Sequence, residues 1–147
     1  MSFEEIRVIT IVYLAVFLPL LIYFTNRSKL PTWIPSFYIV SIVVCALGWE
    51  LWFTYGWLDG DAVNIRRSEA LNTWLPKNIN WLMNSMGDAG AVLCGGVWLM
   101  WITHKKDPIV FKKWKWSAFS IFLIWCIGQN ILVEMFLYHD QLADDKL

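Results

Sequence analysis

Apolar residues in this chain fall into four long runs separated by polar segments, each run about twenty residues. At ~1.5 Å rise per residue, an apolar helix of that length matches a hydrocarbon layer of ~30 Å. The first run covers roughly residues 7–25 and is interrupted only by Pro19, which a membrane helix tolerates as a kink. The second covers about 36–57, with Pro35 at a suitable helix start. The third and fourth cover about 80–103 and 114–138. The predicted fold class is all-α: one polytopic membrane domain over residues 1–147, a four-helix transmembrane bundle running up-down-up-down. Short connections favour antiparallel neighbours in such bundles. No solenoid-period repeat and no low-complexity tract interrupts the pattern.

Charge sorts the loops. Segment 26–34 carries Arg27 and Lys29, and segment 104–113 carries Lys105, Lys106, Lys112 and Lys113 against Asp107, with Lys115 just beyond. The connection 58–79 is longer and of mixed sign, and the C-terminal tail holds Asp140, Asp144 and Asp145 against Lys146. Basic loops stay in the cytoplasm, so both termini and the 58–79 loop are expected on the non-cytoplasmic side of a cell or inner membrane. In that scheme the Asn26-Arg27-Ser28 sequon is cytoplasmic and has no glycosylation role. Glu4 and Glu5 stand where a secretory signal would be basic, and no small-x-small site ends the first run, so no cleavable signal is expected. Trp33, Trp57, Trp74, Trp81, Trp101, Trp114 and Trp116 sit where an interfacial aromatic belt would anchor the helices.

Composition agrees with lipid as the solvent: 58% of residues are hydrophobic and 16% charged, where soluble domains carry about 25% charged residues. Zero net charge gives no support to nucleic-acid binding. Cys45, Cys94 and Cys126 each fall inside an apolar run and read as small buried hydrophobes. His104 and His139 lie at run ends and form no converging ligand set, so neither a metal nor a cofactor is expected. Phosphate-binding glycine loops, nucleophile elbows and zinc signatures do not occur.

The candidate chemistry lies in polar residues at membrane depth. Glu50 sits about two turns from the outer end of the second run. Asn80, Asn84 and Asp88 recur every four residues and share one helix face, with Asp88 about 12 Å inward from Asn80. Gln129, Asn130 and Glu134 occupy the outer half of the fourth run. An acid at membrane depth costs ~2.5–3.5 kcal/mol and marks a functional site by default. The alternative is interhelical glue, in which Asn and Gln tie helices together. Gly87, Ala91 and Gly95 form a small-residue stripe that would admit a neighbouring helix closely. In the outer loop Asp59-Gly60 reads as a turn, and Asp61 is the expected cap of a short interfacial helix ending before Pro76. Arg66 and Arg67 would pair with Glu50, Asp88 or Glu134, bind an anionic headgroup or diphosphate, or pair with Asp59, Asp61 and Glu69 inside the loop.

The segment Gly48-Trp49-Glu50, followed by Tyr55, resembles the acid-bearing helix of the small integral membrane terpene cyclases of fungal meroterpenoid and indole-diterpene pathways. The resemblance covers about eight residues, and those cyclases typically have seven spans where this sequence predicts four. It implies that Glu50 protonates an epoxide or alkene, with Asp88 or Glu134 as the second acid. A four- or five-span sterol isomerase and sigma-receptor-like fold, which also buries acids among aromatics, is a second comparison. Two functions of different class follow. One is an enzyme using Glu50, Asp88 and Glu134 for acid–base chemistry on a lipid or isoprenoid-like molecule, a cyclase or isomerase. Its substrate contacts would be Trp49, Tyr55, Asn84, Gln129, Asn130, Arg66 and Arg67. The other is a non-enzymatic subunit or ligand-binding protein whose polar face docks a protein partner, a second copy of the chain included, or relays protons.

Overall fold

Ser2 opens the first helix by a reciprocal cap: its hydroxyl accepts from the Glu5 N–H at 3.2 Å and its own N–H donates to Glu5 Oε2 at 2.6 Å. The computed structural model describes residues 1–57, 60–137 and 140, apart from the Glu134 side chain. Helix α1 runs Phe3–Asn26 with Pro19 inside it. Helix α2 runs Ile34–Leu47, with Pro35 in its first turn, and α3 runs Trp49–Tyr55. Two short helices follow, α4 (Val63–Arg66) and α5 (Glu69–Trp74). Helix α6 (Lys77–Gly87) continues through a π-helical stretch, Asp88–Cys94, into α7 (Gly95–Thr103). A 3₁₀ turn, Pro108–Phe111, leads to α8 (Trp116–Leu132), extended by a π-helical turn, Val133–Leu137. The described residues contain no strand.

Three of these helical stretches are long and apolar enough to cross a membrane: Phe3–Asn26, Lys77–Thr103 and Trp116–Leu137. The second apolar run is not one straight rod, because α2 and α3 meet at 44°. Gly48 makes the break at φ −96°, ψ −117°, where its N–H still reaches the carbonyls of Val44 and Cys45. A Cβ at that position would stand 2.9 Å from the Val44 oxygen, so the bend requires glycine. Gly56 then ends α3 in the left-handed region at φ 65°. The seven residues between the two glycines carry Glu50.

The π-helical stretch redirects the third helix. One extra residue per turn rotates all that follows by about 100° relative to an α-helix. The small-residue stripe expected to serve one neighbour is therefore divided among several. A Cβ on Gly87 would meet Ala15 of α1 at 3.2 Å, and one on Gly90 would meet Pro19 of α1 at 3.0 Å and Tyr38 of α2 at 3.4 Å. At Gly95 and Gly96 the neighbour is α8, with Trp125 at 3.2 Å and Phe122 at 2.7 Å. Glycine is needed here for close approach to large partners.

Both helix interruptions are repaired by an indole. The Trp125 N–H donates to the carbonyls of Ala91 at 3.0 Å and Val92 at 3.1 Å, while the Gly95 N–H bonds Gly90 and Val92 and passes over Ala91. The Trp81 N–H donates at 2.8 Å to the carbonyl of Ala46, two residues before the Gly48 break. Backbone groups unpaired in hydrocarbon cost several kcal/mol, roughly, so these donors hold the irregular backbone in place. Trp81 is thus a structural tie rather than only a belt residue, and Trp101, 4% exposed, lies in a core cluster with Val110 and Ala118. A second cluster joins Val8 and Val16 of α1 to Met83 of α6 and to Leu71 and Leu75 of the long connection.

Candidate functional site

Helix α3 turns Glu50, Phe53 and Thr54 inward together, the i, i+3, i+4 set of one helix face. Glu50 is 4% exposed and Thr54 fully buried. Helix α6 lies against α3 and brings Asn80, Asn84 and Asp88 on the face that the four-residue spacing predicts. Asn84 and Asp88 both stand close enough to Glu50 to act on its carboxyl. Cys45 of α2 is near both acids. Three elements therefore meet at one polar centre: the end of α2, the bent α3, and the junction of α6 with the π-helical stretch.

The centre is under-satisfied. Glu50 Oε2, Thr54 Oγ1 and both side-chain polar atoms of Asn80 are buried without a hydrogen-bond partner among the described residues. Buried polar atoms are nearly always paired, so four orphans in adjoining turns are a call for a ligand, a water or a transferable proton. Aromatic pairs occupy the other faces of α3. Trp49 and Trp52 lie 4.6 Å apart, and Tyr55 meets Trp81 at 5.9 Å. The Tyr55 hydroxyl donates to Asn78 Oδ1 at 2.9 Å, and Lys77 Nζ sits 5.3 Å from the Tyr55 ring centre. Trp49 is exposed on the outer face of α3.

The remaining sequence-predicted residues lie elsewhere. Gln129 is one turn beyond Trp125 on the same face of α8, and its Nε2 is buried without a partner among the described residues. Asn130 is exposed. Glu134 belongs to the terminal π-helical turn, and its side chain is outside the described part of the structure, as is Asp59 of the expected turn. Arg67 is 5% exposed and is used inside the loop: Nε donates to Asn72 Oδ1 at 2.7 Å and Nη2 donates to the Leu75 carbonyl. Among the described residues it pairs with no carboxylate, and burial pushes its guanidinium down to about 10. Arg66, on α4, is half-buried. Asp61 does not cap the loop helix. The cap is Ser68, whose hydroxyl accepts from the Leu71 N–H at 3.3 Å and donates to Glu5 Oε1 of α1. A serine directly before Glu69 fits the start of α5, and Asp61 lies too far upstream once the loop divides into two helices.

Thr54 and Cys45 are members of the centre that sequence reasoning missed. Thr54 was detectable as the i+4 companion of Glu50. Cys45 was not, because the Gly48 bend breaks the helical register that would relate it to Glu50. Among the described residues no group of three or more His, Cys, Asp or Glu is arranged to hold a metal ion.

A separate groove of about 430 Å³, almost wholly apolar, runs between α1 and the third helix, lined by residues including Pro19, Tyr23, Cys94, Trp98 and Trp125. Glu50, Asn84 and Asp88 are not in its lining. Comparison with family models, with curated proteins and with solved structures found no match to this chain.

Proposed function

We propose that this chain is a four-span integral membrane protein that carries out acid–base chemistry on a membrane-embedded lipid or isoprenoid-like substrate. Helices α2 and α3 together form the second of four spans in an up-down-up-down bundle, and the termini and the 58–79 loop lie on the non-cytoplasmic side. The observation that supports the activity is the buried Glu50 carboxyl, one oxygen without a partner among the described residues, beside Asn84 and Asp88 on a neighbouring helix. A carboxylic acid held away from water can keep its proton until a substrate accepts it. Glu50 would deliver that proton to an alkene carbon or epoxide oxygen. Asp88 would receive a proton from the resulting cation, so that an isomerisation or cyclisation consumes no net acid. Asn84 orients the Glu50 carboxyl, and Phe53, on the buried face of α3 with Glu50, stabilises positive charge through its ring.

A second reading has its own support. Thr54 and Asn80 are fully enclosed beside Glu50, a setting that suits a proton held or relayed within a larger assembly as well as chemistry on a bulky molecule. The two readings part in one experiment. The protein is purified in native-lipid particles as wild type and as the Glu50→Gln/Asp88→Asn variant, and all bound components are identified by mass spectrometry. A small lipid or isoprenoid whose amount or chemical form changes in the variant supports the enzyme and names its substrate class. A stoichiometric protein partner, with lipid content unchanged by the variant, defeats the enzyme reading and makes the chain a subunit.

A further inference from the structure

The basic connection between α7 and α8 borders a cavity that the acid–base reading does not use. It measures about 440 Å³ and lies between the start of α2, the end of α7 and the start of α8. Helix α2 separates it from the polar centre, since Trp33 precedes that helix and Glu50 follows it. Val97, Ala118 and Phe122 contribute an apolar interior, and Lys112, Lys113 and Lys115 contribute the charged part of the lining. The walls are braced aromatics: Trp33 packs edge-on against Phe37 at 5.8 Å and Phe111 at 5.4 Å, and Trp114 packs against Phe119 at 5.0 Å.

The turn that presents the lysines is fixed. The N–H groups of Lys112 and Lys113 both donate to the Ile109 carbonyl at 3.0 Å. His104 joins the end of α7 to the start of α8, with Nδ1 at 2.9 Å from the Met100 carbonyl and Nε2 at 2.9 Å from Ser117 Oγ. The one acid of this connection, Asp107, is committed to capping the 3₁₀ turn through the Ile109 N–H at 2.9 Å. Among the described residues no carboxylate lines the cavity. Three cations therefore border an apolar, aromatic-walled space with no counter-charge among its described lining residues.

We propose that this cavity binds one anionic phospholipid of the adjoining leaflet, its phosphate among Lys112, Lys113 and Lys115 and the start of an acyl chain between the aromatic walls. The charge calls for an anion and the interior for a hydrocarbon, and a phospholipid joins the two in one molecule. Trp33 and Trp114, both exposed beside the rim, stand where indoles favour the headgroup level of a bilayer. Basic pockets between membrane helices bind acidic headgroups by the same physics, and each lysine near an anionic surface contributes roughly a factor of five in affinity.

Native mass spectrometry of the full-length chain in mild detergent tests this, with phosphatidylglycerol and phosphatidylcholine of matched acyl chains as probes. The expected result is one phosphatidylglycerol retained per chain, preferred at least about tenfold over phosphatidylcholine, and not displaced by millimolar inorganic phosphate. Lys112→Ala/Lys113→Ala/Lys115→Ala should lose that preference, whereas Lys29→Ala/Lys105→Ala/Lys106→Ala, which removes the same charge elsewhere, should keep it. Equal loss in both triple variants would reduce the effect to bulk charge and overturn the site. So would absence of preference in wild type, displacement by inorganic phosphate, or a chain dimer that excludes the lipid. The wild-type arms decide the matter even if a triple variant fails to fold.

Discussion

Replacing Glu50 separates a residue kept for chemistry from one kept for structure. An acid at membrane depth costs the fold ~2.5–3.5 kcal/mol. Asn84, beside the Glu50 carboxyl, recovers at most one side-chain bond of the kind worth ~0.6–1.7 kcal/mol between membrane helices, and Oε2 makes no bond among the described residues. The difference is a burden of about 1–3 kcal/mol. Glu50→Met, close in volume and apolar, should therefore stabilise the protein by that amount. Thr54→Val, which removes another fully buried, unpartnered polar atom, should also stabilise it, by up to about 1 kcal/mol. The assay is reversible unfolding in mixed micelles titrated with a denaturing detergent, followed by far-UV circular dichroism. A Glu50→Met protein less stable than wild type by more than about 1 kcal/mol would refute the reasoning, because Glu50 would then be a tie between helices. Stabilisation together with loss of the lipid or isoprenoid signal is the expected pattern, since functional sites commonly sacrifice stability.

Three further outcomes follow from the packing. Trp125→Phe leaves the Ala91 carbonyl without its indole donor and should cost about 1–2 kcal/mol in the same unfolding assay, whereas Trp116→Phe at an exposed indole should change little; equal effects would remove the repair role. Gly96→Ala drives a methyl to 2.7 Å from the Phe122 ring and should destabilise by about 1–3 kcal/mol, while Gly128→Ala, with nothing within 4 Å, should be neutral or stabilising. Ser68→Ala removes the α5 cap and the bond to Glu5, worth about 1 kcal/mol, and should speed tryptic cleavage after Arg66 and Arg67 roughly fivefold; an unchanged rate would show that the cap does not hold the loop closed.

Much was legible before any coordinates, because solvent selects composition over long windows. The runs at 7–25 and 80–103, and 116–137 of the run at 114–138, lie on the three helices long and apolar enough to cross a membrane, residue 138 being outside the described residues, and Pro35 does stand in a first turn. The face shared by Asn80, Asn84 and Asp88 was readable too, since α6 is regular up to Gly87 and the four-residue rule needs nothing beyond regularity. Tertiary structure decided the rest. Gly48 allows a bend, but the direction of that bend, and hence the meeting of Glu50 with Asn84, depends on where α6 packs. The π-helical stretch divided one small-residue stripe among α1, α2 and α8, because a single extra residue rotates a helix that linear spacing treats as continuous. Ser68 caps in place of Asp61 because the connection divides into α4 and α5, a division that the packing of α5 against α1, including the Ser68 bond to Glu5, holds in place. Local composition sets which residues can take a role. The long-range packing, which no window of neighbouring residues contains, sets which of them do.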